Sequence, residues 1–173
     1  MSYQDLLTSL PAELQSEILE MDTFFKSLRP LKFKRRVDKK KINYVSSDYG
    51  ISYAIFPLDA EPTQAFGWYY LYNKETKIWY RKTDYFIETL NKIAETDPLP
   101  AECIFNAINE CKSCNSSPCS AISYVYGGKQ KMACYGRVVL SLCHDDFNQV
   151  RNFFRHLNMI TEVTSTELAK EKN

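Results

Sequence analysis

The 173-residue sequence has two histidines, five glycines and a formal charge of only +1. Each scarcity excludes something. The glycines are Gly50, Gly67, Gly127, Gly128 and Gly136. None is clustered to cradle phosphates, and no dinucleotide fingerprint, G-x-S-x-G or H-E-x-x-H occurs. These absences argue against the common nucleotide-using enzymes. No run approaches 18 uninterrupted apolar residues, so no contact with a membrane is expected. The start, Met-Ser-Tyr-Gln-Asp-Leu-Leu, has neither the basic nor the apolar stretch of a secretory signal. No internal period marks a repeat protein. A pI near 7.5 falls well short of a typical nucleic-acid domain.

What is present suits one core-bearing domain. Apolar residues make up 45% of the chain and aromatics 14%, which excludes disorder at this net charge. The expectation is a single domain over 1–160, followed by a polar, frayed tail at 161–173. With no signal sequence the expected compartment is cytoplasmic. There, clustered cysteines are read as metal ligands or reactive thiols rather than as disulfides.

Leu7, Leu10, Leu14, Ile18, Met21, Phe25 and Leu28 recur every three or four residues, predicting an amphipathic helix over 3–28 whose main part starts at Pro11. That segment is acidic, and the next, 29–41, is strongly basic and reads as a strand and a turn. Residues 42–82 read as an aromatic β-meander. Ile51, Tyr53 and Ile55 alternate with smaller residues, and Phe66–Tyr72 and Ile78–Arg81 form a hairpin around Asn73–Lys77. A helix capped by Thr83 or Asp84 and another opening at Pro100 follow, the second running through Cys111. Residues 120–126 and 129–135 flank Gly127-Gly128, a pair suited to a tight type I′ turn. Val138–Leu142 extends the sheet, and Asp145 or Asp146 caps a last helix. Strands and helices come in blocks, so the fold class is α+β: a mostly antiparallel sheet packed against about four helices.

The six cysteines are the unusual feature. Cys111 and Cys114 form a C-x2-C, with Cys119 and Cys134 downstream. Zinc takes four such ligands at tetrahedral corners, and the tight turn of a C-x2-C supplies two of them. The Gly127-Gly128 turn puts Ala121 opposite Cys134 and Cys119 opposite Gly136. Cys119 and Cys134 then share a ladder face at roughly 5–8 Å between Cβ atoms. Cys111, Cys114, Cys119 and Cys134 are therefore the candidate metal ligands. Four thiolates leave no open position, so the role is structural. An iron–sulfur cluster on the same ligands is the less favoured reading. Cys103, on the apolar side of a helix, reads as a small buried hydrophobe.

Three further features carry weaker signals. Cys143-His144-Asp145-Asp146 lies where a strand gives way to a helix, where a thiol can be activated. Neighbours in a strand point apart, however, so a strand end with an acidic cap is the simpler reading. Lys34, Arg35, Arg36, Lys39, Lys40 and Lys41 could contact phosphates; a solvated sheet edge, neutralised in part by the acidic first helix, explains them as well. Trp68, Tyr70 and Tyr72 share a strand face and are the first choice for lining a small-molecule pocket, although sheet aromatics are more often core. The expected function is a cytosolic, non-enzymatic binding domain with a structural four-cysteine zinc site, its partner a small molecule or a protein. The alternatives are a thiol-dependent or redox enzyme using Cys143 or the Cys111/Cys114 pair, and a nucleic-acid-binding module using 32–41.

Overall fold

Ser2 and Asp5 start the first helix by satisfying each other. Ser2 Oγ accepts from the Asp5 N–H at 3.1 Å, and Asp5 Oδ2 accepts from the Ser2 N–H at 2.8 Å. This reciprocal cap opens α1 (Tyr3–Thr8) and holds the Asp5 carboxyl below its ordinary pKa. The apolar stripe does not continue as one helix. Pro11 lacks an N–H, so the chain turns at Ser9 and Leu10, and α2 (Ala12–Ser27) begins afresh with Pro11 as its N-cap. The stripe survives the break: Leu7, Leu10, Ile18, Met21, Phe25 and Leu28 are all buried.

The computed structural model describes residues 2–38, 40–47, 51–59, 62–68, 71–73, 78–80, 82–108, 110–111, 121–134, 138–141 and 143–170. For 66–68, 71–73, 78–80, 82–85, 122, 134, 138–141 and 162–170 it describes the backbone alone.

The main sheet contains β1 (Lys34–Asp38), β2 (Lys41–Ser46), β3 (Ile51–Phe56), β4 (Thr63–Trp68) and β9 (Val138–Ser141), side by side in that order. Every neighbouring pair is antiparallel. Alternation decides the faces. Ile42, Tyr44, Ser46, Ile51, Tyr53 and Ile55 are buried, while the intervening residues of β2 and β3 are half-buried. Phe25 of α2 packs on the buried face, stacked on Tyr44 at 4.7 Å and on Tyr53 at 4.9 Å, with Phe154 edge-on at 4.9 Å. Phe154 belongs to α5 (His144–Lys170), so two helices cover this side.

The other elements are β5 (Leu71–Asn73), β6 (Ile78–Tyr80), α3 (Lys82–Thr96), α4 (Pro98–Asn106), β7 (Ala121–Tyr126) and β8 (Lys129–Cys134). β5 pairs with β6, and β7 with β8, as two separate ribbons. The fold is α+β with a mostly antiparallel sheet, as the pattern predicts, and α1 and α2 stand where it predicts a single helix over 3–28.

Several local expectations need correction. Phe66–Tyr72 does not keep one pairing: β4 pairs with β3 and β9, whereas β5 pairs with β6, and residues 69 and 70 between them fall outside the described residues. β9 extends the main sheet, as expected, and does so along β4. α4 starts at Pro98, because the Asp97 carboxylate caps it by accepting from the Leu99 N–H, and it ends at Asn106, short of Cys111. The Phe147 N–H donates to the Cys143 carbonyl at 3.2 Å, so Cys143 is the N-cap of α5 and Asp145 and Asp146 lie in its first turn. The helix then continues to Lys170, through most of the segment read as a tail.

Candidate functional site

Gly127 and Gly128 have φ of +55° and +75°, the left-handed values a type I′ turn requires. A Cβ at either position would meet nothing within 4 Å, so conformation and not space selects glycine. The turn sets the expected register, with Tyr126 opposite Lys129 and Ala121 opposite Cys134. One face of the ribbon packs inward. Tyr124 lies edge-on to Phe86 of α3 at 5.7 Å, Tyr126 lies 5.2 Å from Phe105 of α4, and Ala133 is fully buried. Ser123, Val125, Gln130 and Met132 are exposed on the other face, and Cys134 is in phase with Gln130 and Met132.

The end of α4 is fastened to the same ribbon. Lys131 Nζ donates to the carbonyls of Asn106 and Ile108, groups that α4 leaves without helical partners. The Cys111 N–H donates to the Met132 carbonyl at 2.6 Å. In a ladder closed by a two-residue turn, Met132 and Cys134 direct their backbone groups away from β7. The first cysteine of the C-x2-C therefore lies along the outer edge of β8, beside the strand that ends in Cys134. Cys114 and Cys119 fall outside the described residues, and Cys134 is described by its backbone alone. Among the described residues no group of three His, Cys, Asp or Glu is arranged to hold a metal, a set that lacks the side chains of three of the four candidate ligands.

A second sulfur cluster was not legible in the sequence. Cys103 of α4 and Cys143 at the start of α5 both meet Asp146. The Cys143 Sγ donates to Asp146 Oδ2 at 2.7 Å, and the Cys103 Sγ lies 3.9 Å from Asp146 Oδ1. Burial, then the Asp146 charge and the nearby Cys143, push the Cys103 thiol up to about 11, so it is protonated at neutral pH. Cys103 is half-buried and is not the enclosed core residue its helix position suggests. His144 does not join the thiols; its Nδ1 pairs with Glu17 of α2. No Cys143–His144 dyad forms.

The basic run divides in two. Arg35 points under the sheet, where its guanidinium pairs with Asp22 of α2 at 2.7 Å and lies over the Tyr3 ring at 3.6 Å. Asp22 is buried and also accepts from Lys26 at 2.6 Å and from the Tyr44 hydroxyl at 3.3 Å. Burial and the adjacent Asp22 charge raise the pKa of the Tyr44 hydroxyl. Arg35 is thus committed to the interior and withdrawn from the candidate phosphate contacts. Lys34, Arg36 and Lys40 are exposed at the β1 edge of the sheet, Lys41 lies 6.0 Å from the Phe56 ring, and Lys39 falls outside the described residues.

Of the three aromatics expected to line a pocket, two are placed by their backbone alone, in different sheets. Trp68 stands opposite Ile51 in the main sheet, Tyr72 stands opposite Trp79 in the β5–β6 ribbon, and Tyr70 falls outside the described residues. A cleft that sequence patterning misses lies between α2 and α5, lined by Leu19, Thr23, Phe24, Arg151 and Arg155. Arg151 closes its floor by pairing with Glu17 at 3.3 Å and Glu20 at 3.4 Å. Only the distance between residue numbers hides such a site: its partners lie on the first and last long helices.

No helix among the described residues is long and apolar enough to cross a membrane. Comparison with protein-family models, curated proteins and solved structures finds no match, which leaves the residues themselves as the source of any functional reading.

Proposed function

We propose that this chain is a cytoplasmic, non-enzymatic binding domain in which Cys111, Cys114, Cys119 and Cys134 hold a structural zinc ion between the end of α4 and the β7–β8 ribbon. The observation that carries the reading is the Cys111 N–H bond to Met132, which lays the start of the C-x2-C along the strand that ends in Cys134. Soft thiolates suit zinc, and a closed four-thiolate shell leaves no position for a substrate or a reacting water. A two-stranded ribbon is at best marginal alone, so a metal there has something to stabilise. The partner in this reading is a protein with an acidic surface that meets the exposed Lys34, Arg36 and Lys40. Nucleic acid is the less favoured partner, because Arg35 is spent on Asp22.

Metal analysis of the purified chain tests the site. One zinc per chain, lost in both Cys111→Ser and Cys134→Ser, is the expected result. Visible charge-transfer absorption with bound iron would replace zinc by an iron–sulfur cluster. A metal-free protein whose four thiols alkylate rapidly would end the proposal.

A further inference from the structure

Outside the candidate zinc corner, a thiol on α4 and the N-cap thiol of α5 converge on the two oxygens of the Asp146 carboxylate. We propose that Cys143 and Cys103 form an oxidation site for hydroperoxides, in which Cys143 is oxidised first and Cys103 then closes a disulfide with it.

The geometry assigns the order. Cys143 is exposed and is the N-cap of α5, so a peroxide in solution can reach its sulfur. Cys103 is half-buried on α4, behind Asp146. In the first step the Cys143 sulfur attacks a peroxide oxygen. An S–O bond forms, the O–O bond breaks, and the thiol proton leaves with the departing oxygen as water or an alcohol. Cys143 is then a sulfenic acid. In the second step the Cys103 sulfur attacks the Cys143 sulfur. An S–S bond forms, the S–O bond breaks, and the hydroxyl leaves as water with the proton of Cys103. Asp146, which faces both sulfurs, is placed to carry that proton. Overall the thiol pair loses two electrons and the peroxide gains them.

Closure needs Asp146 to swing aside and the two sulfurs to meet. α4 and α5 pack against each other, which keeps the elements that carry the two cysteines adjacent. The bond would join α4 to the first residue before α5 and leave Cys111 and Cys134 untouched.

The test uses the full chain, a small molar excess of hydrogen peroxide, and peptide mapping without reductant, with zinc content followed in parallel. A Cys103–Cys143 cross-linked peptide is expected, with loss of both thiols from alkylation. Cys103→Ser should retain a dimedone-reactive Cys143, and Cys143→Ser should retain reduced Cys103. Accumulation of uncross-linked sulfenic or sulfinic Cys143 in the unmodified sequence would overturn the proposal, as would pairing of Cys143 with any of the other four cysteines. The map of the unmodified sequence decides alone if a variant fails to fold. A chain that carries no zinc yet forms this disulfide would remove the proposed metal site and leave the oxidation site standing.

Discussion

Around Phe25, the rings of Phe33, Tyr44, Tyr53 and Phe154 lie at 4.7–4.9 Å, and helices cover the buried side of the sheet. The β7–β8 ribbon has only one covered face: Tyr124 and Tyr126 turn inward, whereas Val125 and Met132 are 53% and 43% exposed. The first region is overdetermined by packing, and it even accommodates a buried carboxylate by surrounding Asp22 with Arg35, Lys26 and Tyr44. The second is packed through one face, and among the described residues it is also tied by Lys131 to the carbonyls of Asn106 and Ile108 and by the Cys111 N–H to the Met132 carbonyl. Of the candidate metal ligands, Cys111 and Cys134 lie at the second. A cross-link contributes most where packing contributes least, so the proposed zinc ion would stabilise the region that has one covered face.

The largest expected effect lies in the packed region. Phe25→Ala removes a ring shared by two helices and the sheet and should cost about 3–5 kcal/mol, read by denaturant unfolding as one cooperative transition. A local, probe-dependent loss would break the comparison. Asp22→Ala comes next, at about 2–3 kcal/mol. It strands Arg35 and the Tyr44 hydroxyl, and the figure is below that for a fully buried pair because Lys26 is mostly exposed. Adding Arg35→Met should recover part of the loss, and a double-mutant cycle measures the coupling. In the ribbon, Lys131→Met should cost about 1 kcal/mol, since it removes charge-assisted bonds that are partly open to water. Amide exchange should locate that loss in α4 and β8 and leave α2 unchanged.

The smallest effect is a titration. The Cys103 thiol is raised from an ordinary 9.0 to about 11, so the folded chain holds its proton more tightly than the unfolded chain. Its contribution to stability is full below the unfolded thiol value and is lost as pH rises through about 11. Site-resolved alkylation should show Cys103 reactivity still climbing above pH 9; a plateau near 9 would contradict the environment described.

The same two regions show what sequence can reveal. The ribbon's register was legible to the residue, because Gly127-Gly128 admits a two-residue turn and the turn fixes every pair beyond it. The alternation of Ile51, Tyr53 and Ile55 likewise announced the buried face of β3. Long-range pairing was not legible. Phe66–Tyr72 carries no local signal telling β4 to join β3 and β9 while β5 joins β6, and nothing near Val138 names β4 as its neighbour. Opposite charge in the first two segments hinted at neutralisation, but the selection of Asp22 and Arg35 needs the fold. Cys103 and Cys143 were read singly for the same reason: only the packing of α4 on α5 brings both to Asp146.

The proposed zinc ion would hold the half-covered ribbon against α4. The most direct test is amide hydrogen exchange of the zinc-loaded chain before and after treatment with a tight chelator. The account predicts that exchange accelerates across Ala121–Cys134 and the end of α4, while Ala12–Ser27 and the Phe154 region keep their protection. Unchanged exchange in the ribbon once the metal has been removed would contradict it.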